Sequence, residues 1–170
     1  MGVLFEYFRA ADRGAALVLL GPDGDPPSAP TATTADALRA EGIDSTVMLG
    51  QLVALVREVP WDSDLVRVDL VWPESEPDAA DAGDLAEDSP WNSGVTVEEL
   101  DDGLRDDLAA VPDAELPALA GRWARIERTD ELTDDADPEV LAALLAQLVG
   151  LARRAREDGD HLYSWCSVEV

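Results

Sequence analysis

His161 and Cys166 are each the sole residue of their kind in the chain, and they stand five positions apart near the C-terminus. A thiol beside an imidazole is the pairing that activates a cysteine nucleophile, provided both side chains share a face and a third group orients the base. The segment that carries them, HLYSWCSVEV, reads as a strand by length and composition. An odd separation on a strand sends the two side chains to opposite faces. The residue types therefore allow the chemistry and the spacing opposes it. The reading preferred here is a buried Cys166 behaving as a small hydrophobe and a His161 in the turn after Gly159.

Carboxylates are the other chemical resource. ELTDDADPEV and GPDGDPPSAP are rich in oxygen ligands for hard cations, yet neither has the Asp-x-Asp-x-Asp-Gly spacing with a distal Glu of a calcium loop. With a single cysteine, a multi-cysteine zinc site and an internal disulfide are both excluded. A hydrolytic carboxylate pair is defined by its separation in space, so sequence cannot pick one. There is no Gly-rich phosphate loop, no Gly-x-Ser-x-Gly elbow and no His-Glu-x-x-His helix. The sequence thus names no catalytic residue, cofactor or metal ligand. Two arginine groupings, Arg122, Arg125 and Arg128, then Arg153, Arg154 and Arg156, could each receive an anion, and are read as fold-stabilising partners of nearby acids.

The chain has 37 Asp and Glu against twelve basic residues, all Arg, giving a net charge of −25 in 170 residues. Such a field repels nucleic acid and anionic membranes and favours basic partners. A GC-rich genome and a salt-adapted cytoplasm both produce this bias, so only a local excess carries functional meaning. That excess lies between Glu74 and Asp102, where eleven acids occur without one Arg. Glu74, Glu76, Asp78, Asp81, Asp84, Glu87, Asp88 and Trp91 are the residues assigned here to a possible interaction surface. Trp61, in PWDSD, and Trp91, in SPWNS, are read as loop tryptophans in acid-flanked segments. Each is an interface anchor or a ring folded back onto the core, the second being the reading preferred from the sequence.

The elements that must position these groups follow from apolar period and punctuation. At 46% hydrophobic residues the chain can bury a core, and its length fits one domain, 1–170. Residues 3–8 read as a strand; Asp12 caps a helix reaching about Leu20; 21–34 is a Pro-rich loop. TADALRA is ambiguous. Ile43-Asp44-Ser45 opens a helix that runs to Pro60, in which Gly50 leaves room for a close helix crossing. LVRVDLVW, residues 65–72, alternates cleanly and predicts a strand with Val66, Val68, Leu70 and Trp72 on one apolar face. An acidic loop insertion, 74–93, follows. GVTVEEL is read as a strand to about Leu100 in preference to a capping-box helix. A helix over roughly 101–110 comes next, then one capped by Asp113 with Leu116, Leu119, Ala120, Trp123 and Ile126 on its inner face. Asp137-Pro138-Glu139 starts a long helix with an apolar stripe from Leu141 to Ala155. Trp72, Trp123 and Trp165 are expected in the core. Apolar strands at both ends predict that the termini pair in one sheet covered by helices, an α+β fold with a mostly antiparallel sheet.

The opening MGVLFEYFRAAD, the run VEELDDGLRDDLAAVPDAELPALAGRWA and the ending LLAQLVGLARRAREDGDHLYSWCSV resemble, in order and character, the YfbM-like family of uncharacterised bacterial proteins. The resemblance covers about half the chain and implies one α+β domain in the bacterial cytoplasm; it supplies no activity. The N-terminus has no secretory pattern and no window approaches a membrane span. The expectation is a cytoplasmic, non-enzymatic module that binds a basic protein, of inhibitor or immunity type, monomeric or weakly self-associating. The rival expectation is a small enzyme or ligand-binding domain with a pocket of carboxylates and Arg.

Overall fold

In the computed structural model, which describes residues 3–20, 36–40, 42–73, 90–129 and 138–168, the two end strands lie side by side. β1 (Val3–Ala10) and β5 (His161–Val168) pair antiparallel along their whole length, from Val3 opposite Val168 to Ala10 opposite His161. β4 (Val95–Leu100) pairs with the other side of β5, β3 (Val68–Trp72) adds outside β4, and β2 (Ala37–Arg39) adds outside β1. Among the described residues the strand order is β2-β1-β5-β4-β3, with every neighbouring pair antiparallel. The α+β class and the terminal pairing read from the sequence hold. The ambiguous TADALRA segment contains the edge strand β2 at Ala37–Arg39.

One face of the sheet carries the main core. Tyr7, Leu38, Leu100 and Leu162 point into it and meet α2 (Met48–Arg57), α3 (Asp102–Ala109), α4 (Leu116–Thr129) and α5 (Pro138–Asp158). The heptad-like stripes do what their period requires: Leu141, Leu145, Leu148, Leu151 and Ala155 are all buried on α5, and Leu119, Ala120 and Trp123 on α4. Trp123 is fully buried and its indole Nε1 donates to the Met48 carbonyl at 3.1 Å, tying α4 to the first turn of α2. The opposite face holds a smaller cluster of Phe8, Val71, Val95, Val97, Tyr163 and Trp165, flanked by the six-residue α1 (Arg13–Val18). Phe8 and Tyr163 stack across β1 and β5 with centroids 5.5 Å apart.

Acidic side chains close several backbone ends. Asp12 accepts from the Ala15 amide at the start of α1, as the sequence indicates. Asp101 accepts from Gly103 at the start of α3. Asp44 receives the Thr46, Val47 and Met48 amides, so it caps a turn and regular helix begins only at Met48, later than the Ile43 start expected. Asp113 does not cap its helix. A 3₁₀ turn, Asp113–Glu115, precedes α4, and the Asp113 carboxylate instead accepts from Arg153 at 2.7 Å.

The strand read over 65–72 also changes. The strand itself is Val68–Trp72, one ladder bond reaching back to the Arg67 carbonyl, and the register shifts between Leu70 and Trp72. Trp72 comes opposite Val97, so both Val71 and Trp72 join the second cluster while Val66 and Val68 stay with the first. A bulge of this kind breaks the period of two that the sequence displays. Trp72 is half-buried, and Trp123 and Trp165 are buried. The Pro-rich loop 21–34 and residues 74–89 of the acidic insertion fall outside the described residues. Among those described, no helix is long and apolar enough to cross a membrane.

Because Trp123 fills the junction of α4 with α2 and satisfies the Met48 carbonyl, Trp123→Ala is expected to lower stability by about 3–5 kcal/mol and Trp123→Phe by about 1–3 kcal/mol. Urea unfolding followed by far-ultraviolet circular dichroism checks both. Equal stability of the Phe variant and the parent would remove the hydrogen bond from this account.

Candidate functional site

The sole histidine and the sole cysteine occupy opposite ends and opposite faces of β5, about 17 Å apart along the strand. His161 Nδ1 lies 2.6 Å from Asp102 Oδ1, and Arg105 approaches the same carboxylate at 3.5 Å. Cys166 sits between Phe5 and Thr96 on the helix-covered face. Burial, then the nearby Glu98 charge, pushes its thiol above the ordinary range, against a hydrogen bond with Thr96. It is thus held protonated at neutral pH, and the geometry gives no cysteine–histidine pair.

Glu98 is a group the sequence reading passed over, since it looked like one acid among many on a strand. It projects from β4 toward the loop before α2, where Ser45 Oγ donates to its Oε2 at 3.3 Å. Burial, and secondarily the charge of Asp44, raise its carboxyl above 4.5, with the Ser45 bond opposing. Beside it the Tyr7 hydroxyl donates to the Ile43 carbonyl at 2.6 Å and is buried, which keeps the phenol neutral. This nest is a closed set of internal partners that docks the Ile43–Met48 turn on the sheet.

The arginines are mostly spent on structure. Arg9 reaches Asp36, Asp158 and Asp160 at 2.8, 2.6 and 2.8 Å. Arg154 reaches the same Asp36 at 2.6 Å, and its hydrogen bond, followed by that of Arg9, holds the Asp36 carboxyl below the usual range. Arg153 donates to the Ala109 and Val111 carbonyls at the end of α3, and Arg57 pairs with Asp107. The fold-stabilising reading therefore holds for Arg153 and Arg154. Arg122 is exposed on the rim of an open groove of about 420 Å³ between the ends of α2 and α3; the side chain of Arg128 lies outside the described residues.

What faces solvent with a defined shape is the segment after α2. Glu58 takes the left-handed conformation, φ 56°, and the Val59 amide bonds back to Ala54. That turn, in a residue type that pays steric strain for it, swings the chain outward. Val59 and Trp61 are each 42% exposed, with exposed Pro60 between them and the exposed acids Glu58, Asp62 and Asp64 around them. The Trp61 ring is nevertheless fixed. Its Nε1 donates to the Thr46 carbonyl at 3.2 Å, and it lies on Gly50, where an added Cβ would come within 2.9 Å of that nitrogen. Gly50 accommodates an indole here and not a helix crossing. Next to the ridge an open hollow of about 520 Å³ is bounded by Thr46, Ser63, Asp64, Arg67 and Asp69. A second, of about 230 Å³, continues along Arg67, Asp69, Glu99, Asp101 and Asp102.

Of the surface read from the sequence, Glu74, Glu76, Asp78, Asp81, Asp84, Glu87 and Asp88 lie outside the described residues. Trp91 stands in a 3₁₀ turn, Pro90–Ser93, half-buried, its carbonyl accepting from Gly94 at 3.4 Å. Trp61 is thus the more exposed of the two loop tryptophans. Among the described residues no group of three or more His, Cys, Asp or Glu side chains gathers as a metal site. Compared with protein-family models, curated proteins and solved structures, the chain matches none.

Two pH effects of opposite sign follow. The raised Glu98 carboxyl favours folding in its protonated form, a contribution present below its ordinary value and lost as pH rises through the raised native one. Glu98→Gln should therefore equal the parent in stability near pH 4 and exceed it at pH 8, by about 2–4 °C in Tm. The lowered Asp36 carboxyl contributes above its ordinary value and loses that contribution as pH falls through the native one. Asp36→Asn should cost about 1–2 kcal/mol at pH 7, less in high salt. Thermal melts across pH check both; a Glu98→Gln protein less stable than the parent at pH 8 would reverse the first assignment.

Proposed function

We propose that this protein is a non-enzymatic binding domain of the bacterial cytoplasm that docks a basic protein surface, in the manner of an inhibitor or immunity protein. The observation that carries this reading is the Val59–Pro60–Trp61 ridge. An aromatic side chain held in one orientation loses little entropy on binding, and a rim of charge around an apolar centre is the layout of an interface hot spot. The strained Glu58 backbone that presents the ridge supports the same reading, since such conformations cluster where function requires them. The net charge of −25 supplies long-range attraction for a cationic partner and makes the encounter salt-sensitive. The resemblance to YfbM-like proteins belongs to this proposal and supplies it no activity.

Gly50→Ala separates recognition from folding. Alanine favours the helix by about 1 kcal/mol, while its methyl displaces the Trp61 ring. Affinity capture from the native host at low salt should recover a basic protein on the parent chain, with at least about a tenfold loss on Trp61→Ala and a comparable loss on the fully folded Gly50→Ala. Capture of no basic protein, or undiminished capture by both variants, would sink the ridge as the recognition element.

A further inference from the structure

A sheet with this strand order has two edges, and the two differ. β2 is three residues long, and Asp36 just before it is engaged by Arg9 and Arg154. β3 is the longer edge, and its hydrogen-bonding direction can be assigned. The Asp101 amide donates to the Arg67 carbonyl at 3.0 Å, and Val68 stands opposite Leu100. Residues 67 and 101 are therefore a hydrogen-bonded antiparallel pair, and alternation places 69 and 99 in the same class. The N–H and C=O groups of Val68 and Leu70 consequently point away from β4. Among the described residues no group takes them, although both residues are only partly exposed. Two donor–acceptor sets about 7 Å apart along an edge are the template to which another extended chain adds.

The surroundings specify what would add there. The hollow beside this edge shares Thr46 with the ridge, whose Trp61 indole is held by the Thr46 carbonyl. Along the edge the two hollows present Asp64, Asp69, Glu99, Asp101 and Asp102 beside Arg67. Arg13 also reaches Glu99 at 3.4 Å, and Arg105 and His161 engage Asp102, so the exposed Asp64 and Asp69 are the carboxylates most open to an incoming cation. Asp69 is largely exposed, and its contact with Arg13 is a long 3.4 Å. An incoming strand would thus meet carboxylates along its flank and an apolar ring at its end. We infer that β3 is a docking edge for an extended basic segment of a partner protein, which adds as a sixth strand through the Val68 and Leu70 backbone while the Val59–Trp61 ridge takes an apolar side chain of the same segment. This mode rests on the binding-domain reading and specifies how that binding occurs.

The test uses the full chain and a peptide of about ten residues, enough for one strand, alternating Lys and Val, with a Glu–Val peptide of equal length as the control. Amide exchange at Val68 and Leu70 is read by NMR, and Trp61 by fluorescence, at low ionic strength. The Lys–Val peptide is expected to slow exchange at both amides by about tenfold or more, with the Glu–Val peptide inactive and the effect shrinking as salt is added. Leu70→Pro, which removes an outward amide without touching the bonds to β4, should abolish the effect. The exposed Asp69→Lys should weaken it even if the proline variant folds poorly. A Trp61 response without protection of the two amides would overturn strand addition and leave the ridge reading standing. Absence of both responses would overturn strand addition, leaving the ridge to be judged by the host capture. Protection that instead grows with protein concentration, without peptide, would assign the edge to a second copy of the chain and overturn the partner proposed here.

Discussion

The pairing of the first and last strands carries the rest of the molecule. β5 lies at the centre of the sheet, bonded to β1 on one side and β4 on the other, so each helix that packs on the main core face depends on a strand formed by the last described residues of the chain. Contacts of this span close almost the whole chain into a loop, and the entropy lost has to be offset by burial. That burial is present on both faces: Tyr7, Leu162 and the α5 stripe on one, Phe8 stacked on Tyr163 beside Trp165 on the other. Gly94, with φ 69°, passes so close to the Val168 carbonyl that a Cβ would sit 2.9 Å from it. The start of β4 is thereby held against the end of β5.

A chain this acidic must place its carboxylates where they are useful or where water solvates them. Inside the described residues many are used. Asp12, Asp44 and Asp101 receive amides at helix starts, where the dipole favours an anion. Asp36, Asp107 and Asp113 collect arginines from distant elements. Even Glu6, fully buried on the second face, lies 3.6 Å from Arg39. Glu98 is the counter-case, a half-buried acid next to Asp44 whose only described hydrogen-bond donor is a serine. Its raised carboxyl marks a place where docking the Ile43–Met48 turn outweighs electrostatic comfort.

The exposed carboxylates that remain gain meaning from what they surround. Around most of the surface they accompany helices and turns. Near β3 they accompany an apolar ridge and a sheet edge that none of the described residues pairs with, two features that folded domains ordinarily suppress. Their coincidence, joined through Thr46, places the proposed binding role on one side of the molecule.

The residues alone determined the element types and most of the core. Apolar repeats at 3.6 and 2 residues, the Asp12 cap and the Pro138 start act over a few bonds, so α4, α5, β1, β4 and β5 were legible, as was the meeting of the two ends. Features that depend on chain segments far apart were not. The bulge that turns Trp72 to the second face arises from matching β3 to β4. Asp113 serves Arg153, forty residues away in sequence, and not its own helix, because an ion pair competes with a cap only once α5 is in place. Gly50 looked like a crossing point between helices until Trp61 was seen to occupy its missing side chain. The sole cysteine and histidine were separable by strand parity, yet the Glu98 nest, the Trp61 ridge and its neighbourhood to the β3 edge exist only where the loop before α2 folds over the sheet. Local sterics write the first set of features into the sequence; the second set is written by packing, which brings together residues that share no local pattern.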